Sequence, residues 1–252
     1  MNSCIPIRNI IPYKKDFKTI FVINTNSLTD IFFDLDHTLW DFEKNSALTF
    51  QLIFDQLGFS LNVDKFLLIY GPINHALWKL YGENKISQDE LRINRLTHTF
   101  EAINFDIDRS QIKEISELYI THLSTFPHLF DGTHELLKNL KKEYHLHIIT
   151  NGFEQVQHFK IENSGLQPYF ENTFTAEKVG FKKPHPQIFQ TALELANTTH
   201  KTSLMIGDSL EADVEGALNV GMQAIHFNSH AEEEHQKCPI VYSLADLNFL
   251  IN

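Results

Sequence analysis

Apolar residues follow two rhythms along this chain. Five short β-rich runs stand out: DIFFD (30–34), HLHIIT (145–150), NTFTA (172–176), SLMIGD (203–208) and MQAIHF (222–227). Near-continuous apolar runs of this length predict strands buried on both faces, the pattern of a parallel sheet covered by helices. Between the later runs the period becomes helical. GTHELLKNLKKE precedes the second run, and FEQVQHFKIENSG follows it and closes on Gly165. HPQIFQTALELA precedes the fourth, and SLEADVEGALNVG precedes the fifth and closes on Gly221 as a C-cap glycine. Strand–helix alternation of this kind predicts a Rossmann-like α/β fold, a doubly wound parallel sheet.

The first crossover is far too long. Asp34 and His145 are 111 positions apart (145 minus 34), where a parallel connection needs only about a dozen residues. The excess has helical patterning of its own: 45–58, 63–84 with an interruption at Gly71-Pro72, 87–103 and 109–123. Ser87 with Glu90 three residues on reads as a capping box. The expected organisation is an α/β core over 30–42 and 125–252, with a helical subdomain over 43–124 inserted after the first strand. Residues 1–29 read as a loosely held leader, within which KTIFVINT offers a short extra strand. Because the patterned fold begins at Asp30, a natural start nearer Leu28 is a further expectation.

Charge and cysteine content narrow the function. A formal net charge of -11 is unsuited to coating a nucleic acid polymer, which requires clustered Lys and Arg. Cys4 and Cys238 have no metal-type spacing, so no disulfide framework is expected, and a cytoplasmic location fits. No apolar run reaches the ~20 residues that span a bilayer.

The candidate chemistry lies where the strands end. DIFFD leads into Asp34 and Asp36; SLMIGD ends in Asp208; HLHIIT ends in Thr150-Asn151-Gly152. A lone D-x-D is usually a turn or capping feature. In open α/β sheets, however, ligands bind at the carboxyl ends of the strands, so Asp34, Asp36, Thr150 and Asp208 are expected to converge. Two like charges ~4 Å apart cost about 4 kcal/mol even at an effective dielectric near 20. With Asp213 added, the cluster calls for a cation, and oxygen-only ligands point to Mg²⁺ rather than zinc.

Four stretches, DLDHT (34–38), IITNG (148–152), KPHPQIF (183–189) and GDSLEAD (207–213), resemble the ordered motifs of haloacid-dehalogenase-superfamily hydrolases. The likeness runs from about Asp30 to Asn228. The inserted helices resemble that superfamily's helical cap, and FFDLDHTLWDFEKNS is similar to the pyrimidine 5′-nucleotidase branch. The resemblance implies a Mg²⁺-dependent phosphomonoesterase acting through an aspartyl-phosphate on Asp34. Asp36 would then act as acid and base, and Thr38 would shape the turn or orient Asp36. Thr150 and the Asn151 amide would bind phosphate, and Lys183 would offset charge. Mg²⁺ would be held by the Asp34 and Asp208 carboxylates and the Asp36 carbonyl. Asp213 would orient the metal's waters or Lys183.

The implied substrate is a small phosphorylated metabolite, a nucleoside monophosphate, handled by a monomer or homodimer. A sugar-phosphate phosphatase or a β-phosphoglucomutase-like mutase keeps the same motifs. A 2-haloacid dehalogenase needs neither Asp36 nor the metal-type acids. A catalytically silent binding module would not need every motif residue.

Other residues have plainer readings. The 14 histidines read mostly as surface, and His37 is assigned no catalytic role. Lys182 is the idle neighbour of Lys183. Arg92 and Arg95 read as helix-surface salt-bridge partners of Glu90 or Glu101, with substrate contact as the alternative, and Trp78 and Tyr81 as cap core, with a base-stacking platform as the alternative. Trp40 and Phe42 read as hinge packing, with Trp40 alternatively bordering the leaving group.

Overall fold

The computed structural model describes residues 23–251. Six strands form one wholly parallel sheet: β1 (Asp30–Phe33), β2 (His145–Thr150), β3 (Asn172–Thr175), β4 (Ser203–Gly207), β5 (Gln223–Phe227) and β6 (Ile240–Val241), in the order β3-β2-β1-β4-β5-β6. The order reverses beside β1, which places the switch-point crevice at the carboxyl ends of β1 and β4. Alternate residues of β1 serve opposite faces: Ile31 and Phe33 join one apolar cluster, Phe32 the other.

Ten α-helices lie among the described residues. Four stand between β1 and β2: α1 (Phe42–Leu57), α2 (Val63–Gly82), α3 (Gln88–Ala102) and α4 (Arg109–Leu123). The rest are α5 (Thr133–Leu140), α6 (Glu154–Asn163), α7 (Ala176–Val179), α8 (Pro186–Leu195), α9 (Gly216–Asn219) and α10 (Leu244–Ile251). Leucines of α5, with Val156 and Ile161 of α6 and Leu244 and Leu247 of α10, cover the Ile31 face. Ile188, Phe189 and Ala192 of α8, with Ala217 of α9, cover the Phe32 face.

Each inserted helix starts on a side-chain cap: Asp41 accepts from Lys44 N, Asn62 from Lys65 N, and Ser87 and Asp108 form capping boxes with Glu90 and Gln111. The expected interruption at Gly71-Pro72 does not occur, and α2 runs through Pro72. Proline there removes the hydrogen bond to the Leu68 carbonyl. Leu68 is 74 % exposed, so water is at hand for that carbonyl.

Entry to and exit from the four helices meet at a neck. Trp40 bridges antiparallel to Leu129, Asp41 N donates to His128 O at 3.1 Å, and the buried Asn45 carboxamide both donates to His128 O (2.8 Å) and accepts from His128 N (3.1 Å).

Residues 1–22 of the expected leader lie outside the described residues, as do 18–22 of KTIFVINT. Residues 23–29 are tied down. Asn24 exchanges hydrogen bonds with the Gln223 side chain (2.7 and 3.2 Å), Thr29 N donates to Thr202 O, and Leu28 is buried. Residues 23–25 form no strand.

Two of the histidines are exceptions to the expected surface placement. His147 and His226 are buried. His147 Nε2 lies 3.0 Å from Asp30 Oδ1, and Thr29 and Thr198 hydroxyls donate to Asp30 Oδ2 at 2.6 Å each. Burial pushes the Asp30 carboxyl up, but these bonds outweigh it and leave it below the ordinary range.

Candidate active site

β1 carries its chain directly into the crevice. Asp34 N still donates to Ile206 O (2.9 Å), one step beyond the strand. The backbone then folds back tightly: Leu39 N and Trp40 N both donate to Leu35 O, and His37 N donates to Trp40 O. His37 takes the left-handed conformation, φ 61°. This turn lifts Asp36 away from Asp34 and gives the two carboxylates separate surroundings.

Asp34 belongs to a buried charge cluster. Lys183 Nζ lies 2.5 Å from Asp34 Oδ1, 2.6 Å from Asp213 Oδ1 and 2.7 Å from Ile149 O, so its three ammonium protons have three acceptors. Asp213 Oδ2 accepts from Ser209 N (3.0 Å). Gly207 is required here, since a Cβ would fall 2.3 Å from the Asp213 carboxyl. Lys182 points elsewhere, its Nζ over the Tyr81 ring (3.4 Å) and bonded to Asn84 Oδ1.

One carboxylate oxygen from each of Asp34, Asp208 and Asp213 lies within 4.8 Å of the others. Burial drives the Asp34 carboxyl well above its ordinary range; Lys183 opposes this, while Asp213, Asp208 and Asp36 add to it. Burial also raises Asp213. Lys183 is raised: the charges of Asp213 and Asp34 overcome a burial effect of opposite sign. Asp208 falls below its usual range because a hydrogen bond from His230 (3.2 Å) and the charges of His37 and His230 outweigh burial.

Of the two roles expected for Thr38, orienting Asp36 is not what its hydroxyl does. Its hydroxyl donates to Asp208 Oδ1 (3.3 Å), not to Asp36. Asn151 also needs refinement. Its carboxamide donates to Lys183 O (2.9 Å) and accepts from Lys183 N (2.8 Å), so the side chain clamps the lysine's backbone, and the main-chain amide and the second Nδ2 hydrogen are left for a ligand.

Asp36 has a second cluster to itself. Lys160 Nζ lies 2.5 Å from Oδ1, and Gln157 Nε2 donates to Oδ2 at 2.8 Å. Gln157 Nε2 also donates to Thr150 Oγ1 (2.7 Å), which accepts from Gly152 N as well (3.1 Å). With two donors already on its oxygen, the Thr150 hydroxyl keeps its own proton for an incoming acceptor. Lys160 is 3 % exposed and sits over the rings of Trp40 (4.3 Å) and Phe42 (5.5 Å). Burial pulls Lys160 down, against Asp36.

Sequence reasoning missed Lys160 and Gln157. The signal was their phase: Val156, Gln157, Lys160 and Ile161 share the buried face of α6, while Phe159 is 42 % exposed. A polar pair on the apolar stripe of a helix is the feature to look for. Trp40, fully buried beneath Lys160, packs rather than facing a leaving group. Trp78 and Tyr81 pack on each other and on Phe153, in the loop after β2, while Tyr81 is buried in the apolar cluster that the inserted helices share.

Residues 31–227 match the haloacid dehalogenase-like hydrolase family, and the chain belongs to that family. Among its relatives is pyrimidine 5′-nucleotidase PynA of Streptococcus pneumoniae, 32 % identical over 222 residues, covering 86 % of this chain and 92 % of the relative. Another is pyrimidine 5′-nucleotidase YjjG of Escherichia coli, 29 % identical, covering 87 % and 95 %. A crystal structure of the HAD hydrolase YfnB of Bacillus subtilis, bound to magnesium and described as revealing interdomain movement, superposes with TM-score 0.81 at 28 % identity, covering 89 % of this chain and 98 % of that one.

Proposed function

We propose that the protein is a cytoplasmic Mg²⁺-dependent phosphomonoesterase acting on pyrimidine nucleoside 5′-monophosphates, with the four inserted helices as its cap. The observation that carries the chemistry is the separation of the two aspartates. Asp34 stands in the carboxylate cluster with Lys183, and Asp36 stands outside it with Lys160 and Gln157. One carboxylate is thereby suited to attack and the other to proton transfer. Two relatives described as pyrimidine 5′-nucleotidases support the substrate class.

The donor set suits magnesium. It is all oxygen, and Asp34 and Asp208 are close enough to share an ion. The ligands would be the Asp34 and Asp208 carboxylates with the Asp36 carbonyl, while Asp213, bonded to Lys183 and to Ser209 N, would orient Lys183 or the ion's waters. Bound there, Mg²⁺ supplies positive charge that offsets the carboxylates and the phosphoryl oxygens.

Lys183 occupies Asp34 Oδ1, and the other oxygen attacks phosphorus. The bond from phosphorus to the ester oxygen breaks, and Asp36 protonates the departing alcohol. Asp36 then takes a proton from water as that water attacks the aspartyl-phosphate, releasing phosphate and regenerating Asp34. Thr150 Oγ1–H and the Asn151 main-chain amide donate to the phosphoryl oxygens, and Lys183 offsets their charge. A dehalogenase would have no use for the Asp36 cluster.

A phosphate-release screen over nucleoside monophosphates, sugar phosphates and phosphoglycolate tests the reading. The expected result is the highest kcat/KM on pyrimidine 5′-monophosphates. A preference for a sugar phosphate, or no phosphate release from any of them, overturns it.

A further inference from the structure

Inside the four-helix insert lies a buried cation without a counter-charge. Arg95, on α3, is 2 % exposed. Among the described residues no carboxylate pairs with it. Its Nη1 reaches only Asn74 Oδ1 on α2 (3.3 Å), its guanidinium carbon lies 4.8 Å from the centre of the Tyr119 ring on α4, and its Nε has no partner. Its neighbour Arg92 behaves conventionally, pairing with Glu117 on α4 (2.8 Å), while Glu90 is spent on the capping box of α3. The surface salt bridges expected of Arg95 are therefore absent among the described residues. The sequence carried the sign of this: Leu91, Arg95, Leu96, Thr99 and Phe100 form one buried stripe.

Further polar atoms nearby are unmatched. The Tyr70 hydroxyl, beside Arg95 and Tyr119, makes no well-formed hydrogen bond, and neither does Ser116, one turn before Tyr119. Buried polar groups left in this state imply a missing partner, and a guanidinium is the most costly of them to leave unmatched.

Neighbouring side chains lead from this group toward the root of the insert. Tyr119 Oη lies 2.9 Å from Ser46 Oγ. Ser46 is one helical turn past Phe42 on α1, and Phe42 lies under Lys160, which holds Asp36. Arg95 is close enough that its charge is among the causes pulling Lys160 down, after burial. Lys160, Phe42, Ser46 and Tyr119 thus stand in sequence between the proton-transfer carboxylate and the guanidinium.

We propose that Arg95, with the Asn74 amide, is the specificity determinant of the insert and binds the acceptor edge of the leaving group, the carbonyl-bearing edge of a pyrimidine base. Asn74 Oδ1 is taken by Arg95, which leaves the Nδ2 hydrogens as further donors. The guanidinium fork and this N–H present donors only. The assignment rests on the nucleotidase reading for the identity of the base, though not for the role of the arginine.

The test is Arg95→Met, assayed on uridine 5′-monophosphate and on p-nitrophenyl phosphate, which lacks the acceptor edge. The expected result is a rise in KM for the nucleotide of about tenfold or more, with p-nitrophenyl phosphate hydrolysis within about twofold of wild type. Uridine, without phosphate, should inhibit p-nitrophenyl phosphate hydrolysis by the wild type and lose that inhibition in the variant. Equal losses on both substrates, or none, overturn the assignment. Should Arg95→Met fail to fold, Arg95→Lys keeps the charge and loses the fork, and an unchanged nucleotide KM in that variant is equally decisive against it. If the wild type prefers another phosphate ester over nucleotides, the nucleotidase reading fails, and the same KM ratio on that ester still judges Arg95.

Discussion

Lys160 and Asp36 form an ion pair, Nζ to Oδ1 2.5 Å, seated on the Trp40 ring at the root of the four-helix insert. The lysine fixes where the second aspartate points and what charge surrounds it. Lys160→Met is expected to lower kcat by about 10- to 100-fold with little change in KM, because positioning of the proton-transfer group is lost while phosphate contacts stay. Steady-state kinetics on one phosphomonoester decides this, and an undiminished kcat removes Lys160 from the site.

The two aspartates should fail in different ways. Asp34→Asn is expected to abolish phosphate release, since no covalent intermediate can form. Asp36→Asn slows both half-reactions, by about 10²- to 10⁴-fold. Acid quenching followed by intact mass should show one added phosphoryl group on the wild type during turnover and none on Asp34→Asn. A phosphorylated Asp34→Asn protein would point to a different nucleophile.

Chelation should stop the reaction and Mg²⁺ restore it. Asp208→Asn removes one of two proposed carboxylate ligands and is expected to weaken Mg²⁺ binding by about tenfold or more. Titration calorimetry reads this without turnover. Activity indifferent to EDTA would contradict the metal assignment.

The Asp30–His147 pair lies at the start of β1, away from the crevice, and gives stability a pH signature. The Asp30 carboxyl is held below its usual range when folded, whereas an unfolded aspartate titrates near about 3.9. Its stabilising effect is therefore complete above the unfolded value and is lost as pH falls through the lower, folded value. Urea midpoints followed downward from neutral pH should fall less steeply for Asp30→Asn than for wild type. Parallel curves would show that the pair carries no linkage.

Much of the architecture was legible because its signals are local. Buried parallel strands announce themselves as apolar runs, and their last residues name the crevice. The capping boxes at Ser87 and Asp108 mark where inserted helices begin. β6 has only two residues, too few to show a period, and α10 follows it close to the chain end. Pro72 misled because a proline on an exposed helix face loses a bond that water can replace. In the candidate site, Lys160, Gln157 and Arg95 were hidden for one common reason. Each is a polar residue at an apolar phase of its helix, and sequence alone does not say what lies opposite that phase. Thr38 shows the same limit: proximity in sequence suggested Asp36, whereas the fold gave it Asp208, 170 positions away.

The neck at Asn45 and His128 bears on the protein's history. Where a long insertion leaves and rejoins a core at points already hydrogen-bonded to each other, the core tolerates lengthening, shortening or exchange of what hangs beyond. The crevice at the strand ends and the helices that would choose its substrate are then free to be inherited at different rates. A lineage could retain one way of breaking a phosphate ester while replacing what it breaks it from.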